Sequence, residues 1–356
     1  MKKAPAGSKK GRKILKAVLI TAATLVVLSG AAYTAAALRT AGAVPVVAAK
    51  PLAAATPVPT PSLEFLSQEP TDIGEDAELP TPAPTAEPIY QQQPIQEEVI
   101  NILIVGQDIR PEQSGRGRSD TMMLLTYNRK LGSAGMVSFM RDSWVPIEGH
   151  GWNRINAAYA FGGVGLAINT VNELFSLDIQ HYVILDFTGM VSLIDQLGGV
   201  DVAITPEEAD YYNRNRGMDV RAGVVHLDGE QTLIHARNRH SGGGDFERVR
   251  RQQDVMMAIY GKIRQSRDPM ALSGVVSFCL TKVQTNMSSD LLFSLALEVA
   301  NSDTLEIEKA RIPIDGSWKY ASKDGRSVLA IDIEENKRFI HDKIYESSSP
   351  DALREP

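Results

Sequence analysis

The 356-residue chain contains little cysteine, and its single cysteine, Cys279, cannot form a disulfide within the chain. A small scaffold held together by disulfides is therefore excluded. The apolar run VVSFCL around Cys279 predicts a buried, unreactive core thiol. Aliphatic and aromatic residues make up 43% of the chain and charged residues 22%, as is typical of a protein that buries a core. These values exclude a wholly disordered chain and a membrane protein with many helices.

The sequence also lacks the motifs of several common catalytic sites. It has no GxSxG, no Walker A motif and no GxGxxG that opens a helix after a strand. Its six histidines show no spacing suited to a shared metal ion. His235 and His240 flank a run of arginines, and neither lies beside a cysteine or a carboxylate cluster. A zinc site is therefore not expected.

Negative charge is missing from the beginning of the chain, where the first acidic residue is Glu64. Residues 1–16 contain seven lysines and arginines, and residues 17–38 contain no charge. As a helix, the uncharged segment spans about 33 Å, enough for a bilayer core. The charge asymmetry predicts a cytoplasmic tail (1–16), a transmembrane helix (17–38) and a remainder outside the cell. A cleaved signal peptide is the alternative, because small residues lie near the end of the apolar segment.

Proline is concentrated in residues 39–98, which contain eleven of the nineteen prolines. Such a segment buries little apolar surface, so we expect a disordered stalk that spaces the domain from the membrane. A tail without a role is the alternative. Beyond the basic tail, 30 basic residues oppose 43 acidic ones, which gives a net charge of about −13. A domain this acidic is not expected to bind nucleic acid.

Apolar runs and helical patterns alternate from residue 99 onward. Runs predicted as strands lie at 101–106, 121–127, 135–140, 181–187, 200–204, 310–314 and 327–333. Segments with helical periodicity lie at 165–176, 188–197, 230–236, 246–263, 289–300 and 334–347. Several predicted strands are apolar at every position, as in a sheet covered on both faces. The alternation predicts one α/β domain over residues 99–346, followed by a flexible tail at 347–356.

Charged residues follow two of the predicted strands. Asp108 lies at the end of the first strand and Asp120 just before the second, so both carboxylates could meet at one sheet edge. Two carboxylates with open positions suit Mg²⁺, although an aspartate in a turn commonly serves the turn alone. Arg141 and Asp142 follow the strand that ends at Met140, where the alternative is a solvated ion pair.

The segment 227–256 gives the strongest signal. Asp228 is predicted to cap a short helix that leads to Arg237 and Arg239, and a glycine-rich loop leads to Asp245 as the N-cap of a long helix. On that helix Arg248, Arg251 and Gln252 fall within about 100° of one another, while Arg250 points away. Arginine early in a helix opposes the helix dipole. Together with a glycine-rich helix start, these arginines predict a phosphate or diphosphate site.

These segments together resemble the LytR-CpsA-Psr family of cell-wall glycopolymer ligases. The matching motifs are NILIVGQDIR, GRSDTMMLLT, VSFMRDSWV, NRINAAYAFGG, DFTGMVSLIDQLGGVDV and LDGEQTLIHARNRHSGGGDFERVRRQQDV, between about Asn101 and Met257. The resemblance implies an α/β/α sandwich with a central mixed sheet, anchored outside the membrane of a bacterium with a thick peptidoglycan wall. It also implies transfer of a glycosyl-phosphate polymer from a polyprenyl-pyrophosphate carrier to a peptidoglycan sugar hydroxyl.

The resemblance also implies roles for particular residues. Asp108 and Asp120 match the carboxylates that hold Mg²⁺, and together with Arg118 and Arg248 they are the implied catalytic residues. The implied phosphate-binding residues are Arg118, Arg141, Arg237, Arg239, Arg248, Gln252 and, where the family often has lysine, Arg154. Two departures from the family pattern are Glu247, in place of a common glycine, and Met140, in place of a common proline.

Two alternatives belong to other functional classes. A polyprenyl-diphosphate phosphatase or pyrophosphatase would use the same arginines with water as the acceptor. A membrane-tethered regulator or sensor of lipid-linked precursors would bind the lipid without transferring it. Direct control of transcription is not expected, because a cytoplasmic tail of sixteen residues is too short for a DNA-binding domain.

Overall fold

The computed structural model describes residues 95–107, 119–241, 243–265, 269–301, 307–323 and 325–343. The predicted cytoplasmic tail (1–16), membrane helix (17–38) and flexible C-terminal tail (347–356) lie outside these ranges. All but the last four residues of the predicted stalk (39–98) also lie outside them. Within the ranges, no helix is both long enough and apolar enough to cross a bilayer.

The described residues form twelve strands. In chain order they are β1 (Val99–Gln107), β2 (Ser119–Asn128), β3 (Ser133–Phe139), β4 (Ser143–Ile147), β5 (Gly151–Arg154), β6 (His181–Asp186), β7 (Val200–Ile204), β8 (Gly223–Leu227), β9 (Gln284–Thr285), β10 (Ile307–Ile312), β11 (Trp318–Lys323) and β12 (Arg326–Ile331).

The same ranges contain eight α-helices. They are α1 (Ala157–Phe175), α2 (Phe187–Gln196), α3 (Pro206–Arg216), α4 (Gly229–Arg237), α5 (Gly244–Gln265), α6 (Pro269–Lys282), α7 (Ser289–Asn301) and α8 (Ile333–His341).

The main sheet is mixed, in the order β10-β3-β2-β1-β6-β9. Strand β1 pairs antiparallel with β2 and parallel with β6, and β10 runs parallel to β3. The continuous apolar run in β1 buries Leu103 and Val105 completely. A mixed sheet with packed helices confirms the predicted α/β class.

Two smaller sheets were not expected from the sequence. Strands β11, β12, β4 and β5 form a second sheet, and β7 pairs with β8 alone. The predicted strands at 200–204 and 327–333 therefore do not join the main sheet. The burial of β7 alternates along the strand, which shows that only one of its faces is covered. The strand predicted at 135–140 ends at Phe139, and the strand predicted at 310–314 ends at Ile312.

The buried apolar residues form two clusters, and helix α5 contributes to both. The larger cluster includes residues of the main sheet, the second sheet and α1, together with Val249 of α5. The other lies around β7 and β8 and includes Val255 and Ile259 from further along α5. Packing against both clusters fixes the position of α5, and therefore also the position of the arginines at the start of this helix.

Cys279 differs from its predicted environment. It lies on α6 and is half-buried rather than fully buried. Burial nevertheless raises the pKa of its thiol, so the thiol stays protonated at neutral pH.

Candidate phosphate-binding site

Asp120 lies where β1 ends and β2 begins. Ser119 pairs with Gln107, and the register of the two strands shifts between Gly106 and Gln107. Asp120 is the second residue of β2 rather than a residue before it, and this pairing places it beside the carboxyl end of β1, at the sheet edge where it was expected. Two other predicted site residues, Asp108 and Arg118, lie outside the described residues.

Arg141 reaches Asp120 from the turn that follows β3. Met140, directly before it, is buried with 1% of its surface exposed and anchors this turn in the core. Arg141 Nη1 donates a 2.9 Å hydrogen bond to Asp120 Oδ1. The predicted arginine at the end of this strand therefore meets the predicted aspartate at one edge of the sheet.

The start of α5 provides a buried arginine. Gly243 and Gly244 have φ values of 66° and 56°, a backbone conformation that glycine adopts without strain, and they lead the chain into the helix. Arg248 lies in the next turn with 3% of its side chain exposed. Its Nη2 donates to Asp245 Oδ2 at 2.8 Å and approaches the backbone oxygen of Asp120 at 3.4 Å.

Arg239 approaches the same carboxylates from the loop after α4. Its Nη2 lies 3.7 Å from Asp120 Oδ1, and its Nε lies 3.6 Å from Asp245 Oδ1. The side chain is 40% exposed, so its guanidinium remains accessible from solvent.

These residues form an arginine cluster, made of Arg141, Arg239 and Arg248 with the carboxylates of Asp120 and Asp245. Each carboxylate contacts all three guanidinium groups within 4.0 Å. Three positive charges thus share two negative charges, and one positive charge is left over. A diphosphate is an anion of the right kind to complete such a cluster.

Arg248 and Arg141 differ in how their surroundings change the pKa of the guanidinium group. Burial lowers the pKa of Arg248 to about 10, and the neighbouring Asp245 opposes this shift. Burial also lowers the pKa of Arg141, but Asp245, Asp142 and Asp120 together outweigh it and raise that pKa above its ordinary value. Both side chains remain charged at neutral pH. Arg248 is the less well compensated cation.

Arg248 also retains donors that the described residues leave unused. Within the described ranges, its buried Nε and Nη1 atoms have no hydrogen-bond partner. Nη1 lies 4.0 Å from Asp120 Oδ1, which is too long for a hydrogen bond. Buried guanidinium donors are normally satisfied, so the two free positions point to a ligand with acceptor oxygens.

Arg154 joins the cluster through Asp142. Asp142 Oδ1 lies 3.4 Å from Arg154 Nε, and Asp142 Oδ2 lies 3.5 Å from Arg141 Nε. Arg154 also donates to the backbone oxygen of Ser327 in the second sheet. It therefore lies at the rim of the cluster, one carboxylate away from Arg141.

The two other predicted phosphate ligands lie in different surroundings. Arg237 is the last residue of α4, and its guanidinium lies 4.0 Å from the ring centroid of Phe187. Gln252 is half-buried, one turn after Arg248 on the same face of α5.

Two details of the predicted helix need correction. Helix α5 begins at Gly244, so Asp245 lies inside the first turn and is not the N-cap. There it bridges three arginines, a role that its spacing of three residues from Arg248 could have indicated. Arg251 was expected on the same face as Arg248, but it is buried and paired with Glu208. It does not face the arginine cluster.

A magnesium ion fits the described residues only in part. Asp120 Oδ1 is engaged by Arg141, and the second predicted ligand, Asp108, lies outside the described residues. Across the described ranges, no group of three or more His, Cys, Asp or Glu side chains could hold a metal ion. Mg²⁺ usually retains water and substrate phosphate as ligands, so a complete protein cage is not required.

The fold and the cluster define a class of protein: an α/β protein that gathers three arginines around two aspartates at one edge of its main sheet. The family model of the LytR_cpsA_psr family matches residues 75–343. The chain therefore belongs to this family, as the resemblance of its motifs implied.

Known relatives include proteins with two kinds of name. Regulatory protein MsrR of Staphylococcus aureus is 33% identical over 245 residues, which cover 68% of this chain and 73% of MsrR. TagU of Bacillus mycoides, a polyisoprenyl-teichoic acid–peptidoglycan teichoic acid transferase, is 34% identical over 235 residues. That alignment covers 64% of this chain and 75% of TagU.

Solved structures of Bacillus subtilis TagT share the fold. TagT bound to LIIa-WTA superposes with a TM-score of 0.58 at 25% identity, covering 70% of this chain and 91% of TagT. TagT with bound octaprenyl pyrophosphate gives a TM-score of 0.55 at 24% identity, with the same coverage.

Proposed function

We propose that this protein transfers a glycosyl-phosphate polymer from a polyprenyl-pyrophosphate carrier to a sugar hydroxyl of peptidoglycan. Family membership supports this function, as do the name of TagU and the ligands bound to TagT. The observation that carries the proposal is the buried Arg248, whose Nε and Nη1 are unused and which shares Asp120 and Asp245 with Arg141 and Arg239.

In the proposed reaction, an acceptor hydroxyl attacks the phosphorus that is bonded to the donor sugar. The bond from that phosphorus to the bridging oxygen breaks, and polyprenyl monophosphate leaves with the electron pair. The arginine cluster holds the diphosphate and stabilises the charge that develops on the leaving phosphate. Such a reaction relies on positioning and charge, and it needs no nucleophilic side chain.

The remaining site roles belong to the same proposal. Asp108, Asp120, Arg118 and Arg248 are the proposed catalytic residues, with one aspartate accepting the proton of the acceptor hydroxyl. Arg141, Arg237, Arg239, Gln252 and Arg154 are the other proposed phosphate ligands. Mg²⁺, held by Asp108 and Asp120, would neutralise charge on the phosphate oxygens.

The proposal also includes the architecture around the site. Residues 17–38 would anchor the protein in the cell membrane, with residues 1–16 in the cytoplasm. Residues 39–98 would form the stalk, and residues 99–346 an extracytoplasmic α/β/α domain followed by a short tail. Charge asymmetry and proline content of the sequence support these assignments.

The test supplies purified protein with a lipid-linked glycan and peptidoglycan together. A covalent glycan–peptidoglycan conjugate is the expected product, and Arg248→Met should abolish it. Arg264→Met is the matched control, because Arg264 is exposed near the end of the same helix. Release of lipid monophosphate without a conjugate would show that the protein is a phosphatase or pyrophosphatase and not a transferase.

A regulator or sensor of lipid-linked precursors is the second candidate, favoured by the name of the relative MsrR. Such a protein would bind the lipid in the arginine cluster and form neither product. Lipid binding without turnover under the same conditions would therefore favour this candidate.

A further inference from the structure

Behind the arginine cluster lies a buried ion pair that the proposed reaction does not use. Arg251 and Glu208 each have 1% of their side chain exposed, and Arg251 Nε donates to Glu208 Oε1. Replacing a buried ion pair by apolar residues is often neutral or stabilising. Stability alone therefore does not account for this pair, and its geometry gives a second reason for its presence.

Both partners are held in one orientation. Glu208 Oε2 accepts a 2.9 Å hydrogen bond from the backbone nitrogen of Thr205, which completes the capping box at the start of α3. Arg251 uses its Nη1 to donate a 2.8 Å bond to the backbone oxygen of Asn238. The pair thus connects α3 and α5 to the residue that directly precedes Arg239.

The side chain of Asn238 is fixed as well. Its Nδ2 donates to Tyr212 Oη at 3.1 Å, and its Oδ1 accepts from the backbone nitrogen of His240 at 2.9 Å. Main-chain and side-chain bonds therefore hold the residues on both sides of Arg239. Glu208, Tyr212, Asn238 and Arg251 form what we call the brace.

The brace matters because Arg239 is held loosely at its other end. Its guanidinium is 40% exposed, and its nearest carboxylate oxygens are 3.6 and 3.7 Å away. A long arginine side chain has many rotamers, so the position of its backbone largely decides whether it reaches a ligand. Helix α5 carries Arg248 directly and positions Arg239 through Arg251.

We infer that the brace is a positioning device, through which Arg251 and Glu208 hold Arg239 at the diphosphate that Arg248 binds. This inference rests on the proposed function only in the identity of the ligand. It assigns no contact with substrate to Arg251 or Glu208.

The test is a double-mutant cycle on ligand affinity. The paired replacement Glu208→Gln with Arg251→Met removes the contact to Asn238, while glutamine keeps the capping box. Binding of farnesyl diphosphate is measured by calorimetry in wild type, the paired replacement, Arg239→Ala and the combination. Arg264→Met is the matched control, since this exposed arginine lies near the end of the same helix.

The paired replacement should weaken affinity about tenfold, because small displacements of a binding group have large effects. Its melting temperature should stay within a few degrees of wild type. In the Arg239→Ala background the same replacement should have almost no further effect, since both changes remove one interaction. A merely structural role would give the same loss in both backgrounds, and this result would overturn the inference.

Tyr212→Phe keeps the test decisive if the paired replacement does not fold. It removes the bonds of Tyr212 Oη to Asn238 and to His235 Nδ1 without leaving a buried charge, and it should weaken affinity about threefold with the same dependence on Arg239. Unchanged affinity in Tyr212→Phe would overturn the inference. Wild-type protein that binds farnesyl diphosphate but transfers no glycan would refute the proposed function and leave the brace standing. Absence of any binding would overturn both.

Discussion

Replacing Arg248 with methionine should stabilise the unliganded protein and weaken its binding of diphosphate. Arg248 is 3% exposed, and burial lowers the pKa of its guanidinium to about 10. A guanidinium whose pKa is lower in the folded state destabilises that state at every pH where it stays charged. A pKa that differs by one between the folded and unfolded states corresponds to about 1.4 kcal/mol, so the penalty for burying this charge is about 3 kcal/mol.

Methionine removes the buried charge and keeps most of the packing of the arginine side chain. Asp245 still contacts Arg141 and Arg239 after the change. We therefore expect the free energy of unfolding to rise by about 1–3 kcal/mol, and the melting temperature by at least about 2 °C. Thermal and urea unfolding without ligand measure this directly.

Ligand affinity should change in the opposite direction. Loss of charge-assisted bonds to a buried phosphate should cost about 1.5–3 kcal/mol, or about ten- to a hundredfold in affinity for farnesyl diphosphate. Arg248→Lys should lose nearly as much, because lysine lacks the planar fork of donors. Arg264→Met is the control and should bind normally, because Arg264 is exposed near the end of α5. An Arg248→Met protein that melts several degrees lower, or binds like wild type, would refute the reasoning.

Three further outcomes are expected, two from the structure and one from the sequence. Burial lowers the pKa of His235 to about 4, so the unfolded chain takes up a proton first and stability falls as pH decreases from 6.5 towards 4. Urea unfolding at pH 7 and pH 5 should show a loss larger by about 2 kcal/mol in wild type than in His235→Gln, and equal losses would contradict this assignment. Asp245→Asn removes one of two shared carboxylates, so it should lower the melting temperature and strengthen pyrophosphate binding severalfold in calorimetry. Weaker binding would show that Asp245 holds the arginines in place rather than competing with the anion. Deletion of residues 45–94 should leave the melting temperature within about 1 °C, because their proline content predicts no packed contacts, and a drop of several degrees would disprove this.

The inner strands of the main sheet were predictable because each contains a largely apolar run, whereas the edge strands β9 and β10 do not. Strands β1, β2 and β6 match the predicted segments to within two residues at either end. Burial on both faces leaves a strand no polar positions, and this gives the sequence a simple signature.

Elements that escaped prediction lack such a signature. Helix α3 is largely polar, and its start is marked only by the capping box of Thr205 and Glu208 and by Pro206 at its first position. Strand β4 contains Pro146, and proline within a run argues against a strand. Tertiary packing of the second sheet overrides this local signal, because Val145 and Ile147 on either side of the proline residue are buried.

The candidate site was predictable in its residue types more than in its geometry. Arg141, Arg239 and Arg248 were predicted separately and converge on Asp120. Helical phase alone placed Arg251 beside Arg248, because an angular position on a helix does not reveal which neighbour covers it. Glu208 covers Arg251, and it belongs to the helix that the sequence pattern did not reveal.

Charge balance in the site gives a reason to expect a cation with the ligand. Four arginines, including Arg154, face three aspartates, including Asp142, so the described site carries one positive charge. Asp108 and Arg118 have opposite charges and leave this sum unchanged. A diphosphate diester adds about two negative charges, which leaves the occupied site negative unless a metal ion accompanies the ligand. Magnesium should therefore raise the affinity for farnesyl diphosphate, and Asp120→Asn should remove much of that gain. Equal affinity in magnesium and in EDTA, measured by calorimetry with wild-type protein, would remove the role of the metal and leave neutralisation to the arginines alone.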